Sequence, residues 1–162
     1  LRAVEEYTAV PEGTVRNIRL AILVNGGSAS SAEIVAGALQ ARGRATIVGE
    51  RSFGKGSVQH LIRLRGHEAA VKLTVAYYRL PDGRIIHRTG ANADSDSWGV
   101  KPDVLVVLDD AQRDAIRVSR SALDNASTTN DSRDPQARED EVLLDEQLSA
   151  ALRVATGGSP AD

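Results

Sequence analysis

A glycine-rich turn that ends in serines is the strongest chemical feature of this chain. The turn Asn25-Gly26-Gly27-Ser28-Ala29-Ser30 precedes a stretch with helical spacing. A hydroxyl at a helix N-terminus lies among unpaired backbone N–H groups and the positive end of the helix dipole, which stabilise an alkoxide or oxyanion nearby. Ser30 is therefore a candidate nucleophile. The alternative is that Ser28, Ser30 or Ser31 only caps the helix, the commonest role of serine there.

A lysine between two glycines is the second candidate. Lys55 lies between Gly54 and Gly56, so its backbone can approach another segment closely. Burial among apolar groups favours the uncharged form of an amine, which then acts as a base. We predict that Lys55 meets Ser30, 25 positions earlier, because a strand–helix–strand unit returns the chain to the same sheet edge. An ordinary solvated lysine is the alternative.

Gln59 is a third candidate, four residues after Lys55. Four extended residues span about 13 Å, so the two side chains touch only if the segment turns. In that case the Gln59 carbonyl can hold the amine in line without titrating. Otherwise Gln59 is an ordinary polar residue on a strand face.

The segment around Lys55 also nearly spells a phosphate-binding loop. Such a loop needs Ser or Thr directly after the lysine and must open a helix, whereas Gly56 follows here and residues 58–64 favour a strand. Nucleotide binding is therefore disfavoured. Glu33, one helical turn after Ser30, is predicted to serve a capping box or the helix dipole rather than acid–base chemistry.

The histidines suggest no metal site and only a weak alternative triad. His60, His67 and His87 lie in or beside β-like stretches without metal-ligand spacing. His87 with Asp94 or Asp96 would complete a Ser–His–Asp triad only if the fold carried them to Ser30. Nothing in the local sequence indicates that.

The elements that must position these residues alternate between strand and helix patterns. Aliphatic runs at 18–24 and 45–48 flank the helical stretch, which predicts a parallel strand pair. Residues 57–64 and 69–80 are β-like and predict a hairpin, and residues 104–108 predict a last strand. The fold class is therefore α/β, with a mixed β-sheet and flanking helices.

The 162 residues suffice for one compact domain. We expect an approach segment at 1–17, a core at 18–108, and a C-terminal helical tail at 109–162. Within that tail, residues 124–138 are polar enough to predict a linker. The spacing of leucines after them predicts a helix at about 139–155.

Composition excludes several classes of function. The 20 Lys+Arg and 22 Asp+Glu residues give a net charge of −2, so no strong field attracts nucleic acid or an anionic membrane. No apolar run approaches the ~20 residues of a membrane helix. The chain lacks Cys and Met and begins at Leu1. It is therefore expected to be a fragment or a processed chain, with any signal segment outside it.

Two motifs together resemble the C-terminal processing peptidases, also called tail-specific proteases. They are residues 24–34, Val-Asn-Gly-Gly-Ser-Ala-Ser-Ser-Ala-Glu-Ile, and residues 48–59, Val-Gly-Glu-Arg-Ser-Phe-Gly-Lys-Gly-Ser-Val-Gln. The likeness continues through residues 72–78, 81–84 and 98–104. It covers roughly residues 18–108 well and 139–155 weakly.

The resemblance implies a serine endopeptidase on a crotonase/ClpP-like core. It implies Ser30 as the nucleophile, Lys55 as the general base, Gln59 as the residue that orients the lysine, and the backbone N–H of Ser31 as an oxyanion donor. Such enzymes cut proteins near their C-termini through an acyl-enzyme. No cofactor and no metal is implied. The competing hypothesis is a non-catalytic crotonase-like interaction module.

The resemblance also sets expectations about context. Substrates would be proteins or peptides with unstructured C-terminal tails, met in an extracytoplasmic place such as the periplasm or cell envelope. No nucleic-acid partner is expected, self-association is left open, and membrane association would come only through other regions. The family carries an upstream PDZ domain and a glycine-rich loop with a second oxyanion donor. Losing one such donor costs ~10²–10³ in turnover, so the chain alone is expected to be weakly active or inactive.

One departure from the family pattern lies beside the nucleophile. The usual Ala-Ser-Glu after the serine is here Ser31-Ala32-Glu33. A hydroxyl has moved by one position, and the backbone donor of Ser31 is expected to be unaffected.

Overall fold

The computed structural model describes residues 6–15, 17–127 and 145–159. They form an α/β fold of five strands and three helices. In chain order the elements are β1 (Ala21–Val24), α1 (Ser31–Ala41), β2 (Thr46–Gly49), β3 (Ser57–Arg63), β4 (Ala70–Tyr77), β5 (Val104–Leu105), α2 (Asp110–Ser127) and α3 (Glu146–Thr156). None of these helices is long and apolar enough to span a membrane.

A parallel sheet with the order β1-β2-β5 carries the core. Ala21 pairs with Thr46 and Val24 with Gly49, so β1 and β2 run parallel with α1 between them in sequence. This confirms the predicted strand–helix–strand unit. β5 pairs parallel with the other side of β2.

Helices cover both faces of this sheet. Side chains alternate along each strand, so Val24 and Ile47 pack on one face with Ala36 of α1. On the other face Val48 packs with Ala150 and Ala151 of α3. Each fully buried aliphatic side chain contributes about 1.5–3 kcal/mol. The two faces together hold the carboxyl ends of β1 and β2 in place.

The C-terminal helix α3 is part of this core rather than a tail. It packs against β1 and β2. Asp145 caps its start by accepting a hydrogen bond from the Leu148 N–H at 2.9 Å, and Gly157 ends it at φ 91°. The helix begins at Glu146, and the rest of the predicted helix, residues 139–144, lies outside the described residues.

The helix α2 extends into the predicted polar linker at its C-terminal end. It continues to Ser127, so residues 124–127, which composition placed in a polar linker, are helical. Extending an existing helix adds one hydrogen bond per residue, which offsets weak helix propensity. Residues 128–138 of the predicted linker lie outside the described part of the chain.

The predicted mixed sheet is wrong for the described residues, which form two sheets. β3 and β4 pair with each other as a separate antiparallel hairpin. The hairpin itself was predicted correctly. The physical reason for the separation is the loop after β2, in which Gly54 has φ 87° and the chain leaves the parallel sheet before β3 begins.

We predict that Gly49→Ala destabilises the fold by roughly 2–4 kcal/mol. Gly49 has φ 119°, and a Cβ there would overlap the carbonyl oxygen of its partner Val24. The control is Gly43→Ala, where φ is 61° but no atom lies within 4 Å of the added carbon. Urea unfolding should show a loss of only about 1 kcal/mol in the control. Equal losses in both variants would contradict the assigned contact.

Candidate functional site

Ser30 occupies a strained position between β1 and α1. It is the N-cap of α1, with φ 59° and ψ −119°. Among the described residues, Asn17 is the only other non-glycine with positive φ. Such a conformation costs roughly 1–3 kcal/mol and occurs where surrounding structure enforces it, often at functional sites. The strand-to-helix turns that present the nucleophile in α/β-hydrolases are also strained.

The carboxylate of Glu33 is the most heavily bonded group at this site. The Glu33 side chain is fully buried. Its Oε1 accepts hydrogen bonds from the Ser52 hydroxyl at 2.5 Å and the Gly54 N–H at 2.6 Å. Its Oε2 accepts from the Ser30 N–H at 2.9 Å and the Lys55 N–H at 2.7 Å. These donors compensate for the burial of a charge that would otherwise be costly.

The Glu33 contacts bring the two predicted catalytic segments together. Because the backbone nitrogens of Ser30 and Lys55 bind the same oxygen atom, the two main chains lie side by side. The Phe53 N–H adds a second link by donating to the Ser28 carbonyl at 2.9 Å. The predicted capping-box contact of Glu33 is present. Its larger role, joining the turn to the Lys55 loop, was not predicted.

The backbones of Ser30 and Lys55 are neighbours, but their side chains are not hydrogen-bonded to each other in the described part of the chain. Lys55 is exposed, so the burial predicted for its amine is not supplied by the described residues. Gly54 and Gly56 are buried where an added Cβ would meet residues 86–88, whereas the lysine between them lies at the surface. Among the described residues, no hydrogen bond joins the Lys55 amine to the Ser30 hydroxyl or to Gln59.

The other two candidate residues, Gln59 and Ser31, lie on β3 and at the start of α1. Gln59 is exposed on β3 opposite Thr74, directly after an irregularity between Val58 and Gln59. Ser31 is the first residue of α1, where the backbone N–H has no partner within the helix. That N–H belongs to the positive end of the helix dipole beside Ser30.

Ser52 extends the Glu33 cluster into the next segment of the chain. It is 1% exposed, and its hydroxyl accepts a hydrogen bond from the Val100 N–H at 2.7 Å while donating to Glu33. The Ser52 N–H donates to the Val100 carbonyl at 3.1 Å. Sequence reasoning missed Ser52, because only a tertiary contact distinguishes it from other loop serines.

An arginine–tryptophan–arginine stack packs beside the same loop. The guanidinium groups of Arg51 and Arg88 lie 4.7 and 4.5 Å from the Trp98 ring centroid. A Cβ on Gly54 would lie 2.8 Å from the Arg88 Cβ and 3.0 Å from the Trp98 ring. The stack therefore requires glycine directly before Lys55.

Asp96 anchors this stack electrostatically. It binds the Lys101 ammonium at 2.7 Å and the guanidinium of Arg51. The hydrogen bonds from Lys101 and Arg51 hold the pKa of the Asp96 carboxyl below its ordinary value. Because the folded-state pKa is lowered, this contribution is present above the ordinary carboxyl range and is lost as pH falls through the lowered value.

Within the described part of the chain, neither a triad that uses Asp96 nor a metal site is assembled. Asp96 binds Arg51 and Lys101 rather than His87, whose ring packs on Tyr77 with centroids 5.0 Å apart. The described residues contain no group of three or more metal-ligating side chains. The loop around Lys55 leads into the strand β3, so it lacks the helix that a phosphate-binding loop needs.

We predict that Glu33→Gln lowers the free energy of unfolding by about 1–3 kcal/mol. The amide offers one acceptor oxygen in place of two, which leaves buried N–H groups of the Gly54–Lys55 loop or of Ser30 without a partner. Urea unfolding measures the loss. The exposed Glu68→Gln is the control, and a loss at Glu33 no larger than at Glu68 would contradict the role of the carboxylate.

Comparison with known proteins matches most of this chain to one family. A family model for Peptidase family S41 matches residues 2–106. A carboxy-terminal-processing protease of Bartonella bacilliformis is 55% identical over 85 residues, which are 52% of this chain and 17% of that protein. A carboxyl-terminal-processing protease of Synechocystis is 46% identical over 90 residues, 56% of this chain and 21% of the relative.

Two further relatives extend the comparison. The chloroplastic carboxyl-terminal-processing peptidase 3 of Arabidopsis thaliana is 45% identical over 85 residues, 52% of this chain and 14% of that protein. A solved structure of a photosystem II D1 C-terminal processing protease is 40% identical and superposes with a TM-score of 0.46. The match covers 55% of this chain and 20% of the protease chain. The chain thus spans about a fifth or less of the length of these relatives.

Proposed function

Since this chain belongs to peptidase family S41, we propose that it carries the catalytic residues of a serine endopeptidase that cuts proteins near their C-termini. In this proposal Ser30 is the nucleophile and Lys55 the general base. Gln59 orients the lysine, and the Ser31 N–H is one donor of the oxyanion hole. The relatives' names, carboxy-terminal-processing protease and its variants, support the substrate class.

The reaction proceeds through an acyl-enzyme. The uncharged Lys55 amine accepts the proton of the Ser30 hydroxyl as its oxygen attacks the peptide carbonyl carbon. The Ser31 N–H stabilises the resulting oxyanion. The lysine then gives the proton to the leaving amine as the peptide bond breaks. A water molecule, deprotonated by the same amine, then attacks the ester carbonyl carbon. The bond to the Ser30 oxygen breaks, the lysine returns the proton to that oxygen, and the new C-terminus is released.

One observation carries this proposal. The backbone nitrogens of Ser30 and Lys55 share the Glu33 Oε2 atom, which makes the nucleophile turn and the lysine loop neighbours. In this proposal Glu33 is a positioning residue: it touches neither substrate nor reacting atoms. The strained φ of Ser30 supports the same assignment, because such strain persists where position matters more than local energy.

The exposed Lys55 amine requires further cover to act as an uncharged base. We assign that cover, and the second oxyanion donor, to bound substrate and to regions beyond these 162 residues, since the matched part is only 17% and 21% of the length of the two relatives. The parallel sheet between α1 and α3 supports the crotonase/ClpP-like core. An extracytoplasmic place of action, periplasmic or cell-envelope, and unstructured protein tails as substrates complete the proposal.

We predict that Ser30→Ala and Lys55→Ala each lower peptide cleavage at least ~10³-fold in the intact protein that contains this chain. Lys55→Arg should be as inactive as Lys55→Ala, because a guanidinium stays charged and cannot act as the base. Cleavage of an unstructured peptide with an apolar C-terminus is the assay. Labelling by a fluorophosphonate, which reports the activated serine, should be lost in parallel.

Two matched variants control for structural damage. Ser31→Ala keeps the proposed backbone donor, and Lys72→Ala removes an exposed lysine on β4, so both should retain activity within a few-fold. Full activity in Lys55→Arg would show that a cation suffices and would remove the general base from the proposal. Absence of labelling and cleavage in the unaltered intact protein would favour the non-catalytic module.

A further inference from the structure

The turn that precedes Ser30 contains the only Asn-Gly pair in the sequence, Asn25-Gly26. Both residues are exposed. Glycine has no side chain to shield its backbone nitrogen, and no atom lies within 4 Å of the place that a Cβ on Gly26 would take. The peptide group between the two residues is therefore open to solvent and to the Asn25 side chain.

The Asn25 side chain is tied to the same peptide group by a hydrogen bond. Its Oδ1 accepts from the Gly27 N–H at 2.9 Å. The ring closed by that bond contains both the Asn25 Cγ carbon and the Gly26 nitrogen, which limits how far these two atoms can separate. Among the described residues the Gly26 N–H donates no hydrogen bond, so its nitrogen is not engaged elsewhere.

These contacts suit an attack of the Gly26 nitrogen on the Asn25 Cγ carbon. The nitrogen loses its proton to water or hydroxide and forms a bond to Cγ, and negative charge develops on Oδ1. The Gly27 N–H already donates to that oxygen and stabilises the charge. The bond from Cγ to Nδ2 then breaks, and Nδ2 leaves as ammonia after taking a proton from water. The product is a five-membered cyclic imide.

Water opens this imide in either of two ways, and the Gly26 nitrogen regains a proton in both. Attack at Cγ breaks the new bond and leaves aspartate at position 25. Attack at the main-chain carbonyl carbon breaks the original peptide bond and leaves isoaspartate. In isoaspartate the main chain runs through Cβ and Cγ and is one carbon longer.

Isoaspartate alters the turn that leads to Ser30. The Asn25 carbonyl accepts a hydrogen bond from the Ser28 N–H at 2.9 Å, and the Ser28 carbonyl accepts one from the Phe53 N–H at 2.9 Å. In isoaspartate the carbonyl carbon of residue 25 leaves the main chain and becomes a free carboxylate. The first of these bonds then loses its geometry. Because Ser28 also makes the second bond, its displacement reaches the loop that carries Lys55.

We propose that Asn25-Gly26 is a site of spontaneous deamidation, and that isoaspartate there separates the nucleophile turn from the Lys55 loop. The effect on cleavage rests on the proposed function. Aspartate keeps the normal chain length and an acceptor oxygen for the Gly27 N–H, so it preserves the turn. The site limits the active lifetime of the protein without a second enzyme.

The test is controlled ageing of the intact protein that contains this chain, at neutral and mildly alkaline pH. Peptide mapping by mass spectrometry measures conversion of the amide to the acid, and methylation by an isoaspartate methyltransferase measures the isoaspartate. We expect faster conversion at the higher pH, because the attacking nitrogen must lose its proton. Cleavage should fall in proportion to isoaspartate, about 10²-fold in converted molecules, because a small displacement of the reacting groups is enough.

An internal control and a variant separate this chemistry from general ageing. Asn92 binds the Thr89 N–H through Oδ1 and the His87 carbonyl through Nδ2, and alanine follows it, so it should remain an amide. Gly26→Ala shields the attacking nitrogen with a methyl group that has open space, and it should slow conversion about tenfold. The cleavage rate of each preparation is compared with its own value before ageing.

A second variant separates the added charge from the added carbon. Asn25→Asp reproduces the aspartate product, and before ageing it should cleave within a few-fold of the unaltered protein. Loss of cleavage in fresh, folded Asn25→Asp would assign the effect to charge and overturn the role of the longer chain. Thermal unfolding identifies a variant that fails to fold.

Conversion at Asn25 no faster than at Asn92 would overturn the modification site. Full cleavage by molecules that carry isoaspartate would overturn its effect on the turn. Conversion is also measured on Ser30→Ala, so it does not depend on catalysis. Conversion at Asn25 in a protein that cleaves no peptide would keep the modification site and overturn the protease. Ser30-dependent cleavage with no acid formed at position 25 would do the reverse.

Discussion

The carboxylate of Glu33 is the constraint on which the rest of the site depends. A buried charge is tolerated only when several donors surround it, and here the donors come from the turn before α1 and from the loop after β2. Neither segment satisfies the carboxylate alone. The folding of α1 is therefore coupled to the placement of the Lys55 loop, and a local capping contact becomes a tertiary one.

The sheet and its helices make this arrangement rigid. β1 and β2 end side by side because they are parallel neighbours, and both lead directly into the segments that Glu33 joins. Packing of α1 on one face and α3 on the other fixes the strand ends. That packing offsets the strained backbone of Ser30, which a loop without such support would relax.

The cationic groups around the lysine loop form a second layer. Arg51 and Arg88 stack on Trp98, and Asp96 holds Arg51 in place. Arg88 and Trp98 fill the space that a Cβ on Gly54 would need. The Lys55 loop is thus held by hydrogen bonds to a buried anion and confined by the stack beside Gly54. The lysine side chain itself is exposed.

Sequence alone determined the local elements and the chemistry that they carry. The aliphatic runs, the glycine-rich turn and the hairpin pattern depend on neighbouring residues, so β1, α1, β2 and the β3–β4 hairpin were predictable to within a few residues. The candidate roles of Ser30 and Lys55 came from residue type and motif spacing. The capping contact of Glu33 was also predictable, because it spans one helical turn.

Only the tertiary structure decided what joins distant segments. The bonds of Glu33 to Ser52, Gly54 and Lys55 cross about twenty positions, and no local pattern encodes them. The place of α3 was likewise decided by the tertiary structure: its sequence predicted a helical tail, and its apolar side packs on the parallel sheet. The separation of the two sheets was decided in the same way. Pairings between distant residues depend on how the whole core packs. Local propensity, which acts over a few residues, does not specify them.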